Sequence, residues 1–231
     1  MDDPRQLALD LASTVRARAI FLGKTRVGEP GGNTTAVTVG DDWESLRAEA
    51  LACTKCGLCE TRTQVVFGEG SETAELMFVG EAPGRDEDAS GRPFVGRAGQ
   101  LLTKMIAGMG LAREEVYIAN VLKCRPPDNR DPGKDEVEKC RPYLLRQIEH
   151  IQPKVICALG RHALRALTDY TGPIGRVRGR PMQFFDRVVI PTFHPAYLLR
   201  NPAAKADAWA DLKVILGILG RPVPPRKNAR G

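Results

Sequence analysis

The sequence predicts an α/β domain of three layers, a four-stranded parallel sheet with helices on both faces. Two observations carry this expectation. Four short apolar runs rich in β-forming residues, ELMFVG, EVYIANV, PKVICALG and RVVIPTF, are each followed by a helix-like segment: GQLLTKMIAGM, DEVEKCRPYLLRQIEH, RHALRALTDY and ADAWADLKVILGIL. Repeated strand–helix–strand units with right-handed crossovers build a parallel sheet, and its ligands are expected just beyond the carboxyl ends of the strands. A chain of 231 residues with 42% hydrophobic content also suffices for one good core with tails to spare.

The elements divide the chain in order. Residues 4–22 have helical periodicity through Leu7, Leu11, Val15 and Ile20, and the following GKTRVGEPGGNTTAVTVG has a linker composition, so 1–40 is expected to be an extension. DDWESLRAEALACTKC then reads as a capped helix that opens the main domain, 41–220. The closing RPVPPRKNARG, 221–231, is expected to be a disordered basic tail.

A net charge of +6 and a pI of about 9.1 favour a polyanionic partner, with nucleic acid as the first expectation. No apolar run approaches the roughly 18 residues that span a bilayer. The start, MDDPRQLALDLAST, lacks a basic region followed by an apolar one, so a cytoplasmic protein without membrane contact is expected. In a reducing compartment the six cysteines are better read as metal ligands or core residues than as a disulfide framework. Cys53, Cys56 and Cys59 form C-x2-C-x2-C, Cys124 and Cys140 are each followed by Arg-Pro, and Cys157 sits in an apolar run where a buried thiol suffices. Spacing alone leaves a four-thiolate zinc site open.

Chemically able residues gather at the strand ends. GEAPGRDED follows the first strand, Asn120 and Cys124 end the second, and His194 follows the fourth. A phosphate-binding loop wants G-x4-G-K-[ST]; this turn carries four acids and no such lysine, which excludes a nucleoside triphosphatase of that kind.

GEAPGRDED, GRPFVGRAGQLL, NVLKCRPP and FHPAYLLRNP together resemble the family 4 uracil-DNA glycosylases, the iron–sulfur type of bacteria and archaea, over about residues 50–217. The resemblance implies a uracil-DNA glycosylase-like fold and a monofunctional hydrolase that releases uracil from DNA. It makes Cys53, Cys56, Cys124 and Cys140 the ligands of a [4Fe–4S] cluster, with Cys59 as the competing ligand. Breaking an N-glycosidic bond creates a cationic sugar and a uracil anion, so opposite charges need stabilising at two places. In similar enzymes the histidine after the last strand donates to uracil O2, the role expected of His194. Asn120 would read the Watson–Crick edge, since an amide pairs with a pyrimidine carbonyl and N3–H as uracil presents them and cytosine does not.

By the same resemblance Phe94 stacks on the flipped ring, while Glu81 and the Ala82–Pro83 backbone lie against uracil and the attacking water. Glu87 would crowd the position where thymine carries its methyl. Asp86 and Asp88 are expected to be bystanders, and Arg85 departs from a more strongly acidic form of the motif. A base inside a duplex must be rotated out. Leu198 is the expected wedge, ahead of Tyr197 and Leu199, and Arg176, Arg178 and Arg180 are the expected phosphate contacts. His150 and His162 are expected to be surface or helix-end residues without a role.

The expected partner is uracil-containing DNA, bound by a monomer. A different class, a metal-stabilised DNA-binding module that serves a polymerase without catalysis, fits the same charge and cysteines. A third reading, covalent capture of uracil DNA by a histidine on a basic loop after the second strand, lacks its histidine in KCRPPDNRDPGKDEVEKC.

Overall fold

The computed structural model describes residues 43–225. The helix expected over 4–22, the linker after it and the last residues of the basic tail lie outside that range.

The chain enters through α1 (Trp43–Leu51) and passes a short edge strand β1 (Glu69–Gly70) before the first central strand, β2 (Leu76–Gly80). Helices α2 (Arg85–Ser90) and α3 (Arg97–Gly108) lead to β3 (Tyr117–Asn120), and α4 (Lys134–Ile151) leads to β4 (Val155–Leu159). Then come α5 (Arg161–Thr168), β5 (Met182–Phe184), β6 (Arg187–Thr192), α6 (Pro195–Arg200) and α7 (Lys205–Ile218).

The sheet has the order β1-β3-β2-β4-β6-β5. Its centre, β3-β2-β4-β6, is the four-stranded parallel array expected from the four apolar runs. The expectation of four strands needs correcting at the edges, where β1 and β5 pair antiparallel with β3 and β6. These edge strands are two and three residues long, too short to carry a period-2 pattern.

Every residue of β2, β3 and β4 is buried, because helices cover both faces. Phe78, Ile118, Cys157 and Ile190 point to one face and pack with Leu102 and Ile106 of α3 and Leu212, Ile215 and Leu216 of α7. Cys157 is thus a core thiol. On the other face Tyr117 meets Gln147 of α4 and the ring of Trp43 in α1. The path turns one way from β2 to β3 and the opposite way from β3 to β4. That reversal opens a crevice at the carboxyl ends of β2 and β4, where doubly wound sheets bind ligands.

Close packing sets the mouth of this crevice. Phe94 holds a left-handed backbone, φ 51°, which is strained for a bulky residue and persists only where its surroundings impose it. Gly99 lets the first turn of α3 lie directly on that backbone, since a Cβ there would collide with the Phe94 carbonyl. Gly99→Ala is expected to lower stability by about 1–3 kcal/mol in urea unfolding. Gly217→Ala in α7, whose added Cβ meets nothing within 4 Å, is expected to be neutral or stabilising by up to about 1 kcal/mol.

Candidate active site

Asn120 closes β3 directly opposite Gly80, the last residue of β2. Any side chain at Gly80 would collide with Asn120 Oδ1 and with the Phe94 ring, so glycine there brings amide and ring together over one spot. Asn120 is 1% exposed, yet its Oδ1 has no hydrogen-bond partner among the described residues. A buried acceptor left unpaired costs about 1–3 kcal/mol, and such atoms cluster where a ligand supplies the missing donor.

The four acids after β2 differ in their surroundings. Glu87 accepts from the backbone N–H groups of Val95 and Gly96, each at 2.9 Å, and from Gly84 N at 3.1 Å. It therefore ties the turn after β2 to the loop carrying Phe94. Asp88 is buried and accepts from Thr63 N at 2.9 Å, so it is a structural anchor rather than a bystander. Asp86 remains on the exposed side beside Arg85. Glu81 alone points into the crevice without a close donor. Burial, reinforced by Asp131 and opposed by Arg161, pushes its carboxyl up to about 7.

His194 caps α6, its Nδ1 accepting from Ala196 N at 3.1 Å. That bond places the ring proton on Nε2, free to donate. Burial, helped by Arg200, holds the imidazole down at about 4, so it is neutral at pH 7. Gly160, at φ 91°, follows β4 and faces His194, where an added Cβ would sit 3.2 Å from the histidine Cβ. The Phe94 and His194 rings lie 5.7 Å apart, centroid to centroid. Phe94 is therefore the common neighbour of Asn120 and His194, and the three expected base-recognition residues face one place.

One member of the site was missed. His162, expected to have no role, opens α5 at the crevice with Nε2 at 3.9 Å from Glu81 Oε2 and 3.5 Å from Asp131 Oδ2. Its place after β4, at a strand end, was the available signal.

Two expectations for DNA contact need correcting. Leu198 is 1% exposed and packs beside Leu101, Met105, Trp209 and Leu212, so it cannot enter a base stack. Tyr197, one position earlier on α6, is 39% exposed and stacks on Phe193 at 4.9 Å. Arg178 is held by Asp211 at 2.9 Å, where it ties its loop to α7 and is not free for phosphate. Arg176 and Arg180 are exposed and have no ion pair among the described residues.

Cys53, Cys56, Cys124 and Cys140 line a single recess between α1, the segment after β3 and α4. Cys59 stands outside it in the next turn, Gly57–Glu60. The recess is built for anionic sulfur: Arg62 donates to Cys124 Sγ at 3.3 Å and the Lys123 amide to Cys140 Sγ at 3.2 Å. The Lys123 ammonium is buried close by, bonded to Gln147 Oε1 at 2.5 Å and to Asn120 O at 2.9 Å. Burial pushes the Cys140 thiol up to about 12, a cost that a bound metal centre removes by taking the thiolate.

Comparison with known proteins identifies the family. The uracil DNA glycosylase superfamily profile matches residues 67–213. The chain is 49% identical to a type-4 uracil-DNA glycosylase of Archaeoglobus fulgidus over 190 residues, 78% of this chain and 95% of the relative. With the type-4 uracil-DNA glycosylase of Thermotoga maritima it shares 54% over 160 residues, 68% of this chain and 83% of the relative. A DNA polymerase of Bacillus phage SP01 is 32% identical across 72% of this chain, but only 18% of the polymerase takes part. The chain belongs to the uracil DNA glycosylase superfamily, within its type-4 family.

Proposed function

We propose that this chain is a monofunctional uracil-DNA glycosylase that draws uracil out of DNA, hydrolyses its N-glycosidic bond and leaves an abasic site for repair. The buried, unpartnered Asn120 Oδ1 carries the substrate assignment. Uracil N3–H supplies the donor this oxygen lacks, whereas cytosine would set an acceptor, its N3 lone pair, against it. Phe94 offers its face to the extruded ring. The neutral His194 donates from Nε2 to O2, where charge grows as the uracil anion departs. Glu81, as a carboxylate, orients water and faces the cationic sugar. The Ala82–Pro83 backbone lies against the base, the Ala82 side chain packing instead on the Leu58 and Cys124 cluster, and Glu87, fixed by three backbone donors, walls the side where thymine would bring its methyl.

Outside the pocket, Tyr197 is the side chain placed to fill the gap left by the extruded nucleotide, and Arg176 and Arg180 face the phosphates. The four recess cysteines hold a [4Fe–4S] cluster whose role is to tie α1 to α4 and to the segment after β3. Such a cluster bound by thiolates carries negative charge, which Arg62 and Lys123 offset.

His194→Ala is expected to slow uracil release from oligonucleotides by about 10²–10³-fold, the usual loss of one donor at a developing anion. Cleavage of the product at abasic sites by alkali measures it, and oligonucleotide binding without any release by the unaltered protein would instead support the non-catalytic module. Because Glu81 titrates near 7 and acts as the carboxylate, the rate is expected to fall as pH drops through 7. Glu81→Gln should lower the rate at every pH and abolish that acid limb. Cys124→Ala is expected to lose iron, labile sulfide and the brown absorbance, while Cys59→Ala keeps all three; the reverse result would reassign the ligands.

A further inference from the structure

Glu81 does not stand alone in the crevice. Oxygens of Glu81 and Asp131 and a nitrogen of His162 lie within 4.8 Å of one another, although they come from the turn after β2, the loop before α4 and the first turn of α5. Three such ligands invite a cation, but the protein supplies its own. Arg161 donates through Nε to His162 Nε2 at 2.9 Å and through Nη2 to Asp131 Oδ2 at 2.9 Å. The imidazole lone pair that a metal would need is thereby engaged, and the ring proton is left on Nδ1.

We propose that Asp131 and Arg161 are opposed positioning residues which, across His162, set the charge on Glu81 and so the pH range in which the enzyme works. This rests on the reading of Glu81 as the water-orienting carboxylate. The charges facing Glu81 are Asp131, which favours its protonated form, and Arg161, which favours the carboxylate. Those facing His162 are Glu81, Asp131, Arg161 and Arg165, with burial the largest cause holding its pKa below 6.5. His162 is the spacer that keeps the two carboxylates apart while accepting from Arg161. Asp131 and Arg161 are both largely exposed, with side-chain exposures of 67% and 69%, so neither substitution disturbs the core. Exposure also subjects their influence to screening, making it weaker in high salt.

The test is the pH profile of uracil release from a single-stranded oligonucleotide, alongside direct titration of Glu81 by carboxyl-selective NMR on the same full-length proteins. Asp131→Asn is expected to move the acid limb to lower pH and Arg161→Gln to higher pH, each by about half a unit or more at low salt. Both shifts should shrink in 0.5 M salt, roughly as screening dictates. Glu81 titrations and limbs that stay put, or that move in the same direction in both variants, overturn the proposal. If the Glu81 titration splits in the two directions while the rate profile stays fixed, the charge-setting group stands and the assignment of Glu81 to water fails.

Discussion

The site depends on one carboxylate that does no chemistry. Glu87 accepts three backbone N–H groups, one from the turn after β2 and two from the loop that precedes α3. Charged hydrogen bonds of this kind contribute about 1.5–3 kcal/mol each. Together they hold Phe94 in its left-handed conformation against the amide of Asn120 and the ring of His194. Without that tie the turn and the aromatic loop would be separate segments, and Phe94, Asn120 and His194 would not meet. Gly80 and Gly99 complete the constraint by leaving no side chain where these groups converge.

Electrostatics inside the crevice run against the character of the whole molecule. The chain is basic, at +6, which suits approach to DNA. Burial holds the His194 imidazole down at about 4, so it is neutral at pH 7, and raises the Glu81 carboxyl to about 7. In the proposed reading, a neutral donor at uracil O2 avoids placing a full positive charge next to the cationic sugar. The four acids after β2 are thus not an acidic patch. One anchors the 63–64 segment, one pins the aromatic loop, one stays in solvent, and Glu81 faces His162.

The sulfur recess and the pocket share a strand. Lys123 donates its amide to Cys140 and its ammonium to the Asn120 carbonyl, so Asn120 lies three positions from a buried cation beside the thiols. Cysteines from the segment after α1, the post-β3 segment and α4 converge there. A centre that fixes those elements also fixes the end of β3.

The sequence by itself determined the central parallel strands, the helices between them and the grouping of chemistry at the strand ends. Each of these is written locally: an apolar run long enough to be buried, a helical period, a residue type next to a strand. It also singled out the cysteines, because ligand spacing is a property of the chain. Tertiary structure alone decided which side chains face what. Two- and three-residue edge strands carry no pattern, and they exist only because β3 and β6 offer open edges. Leu198 and Tyr197 are neighbours on a six-residue helix, and which one turns outward is set by α3 and α7 packing beneath it. Glu81, Asp131 and His162 are far apart in sequence and meet only at the crevice made by the reversal of strand order, a juxtaposition that no local period encodes.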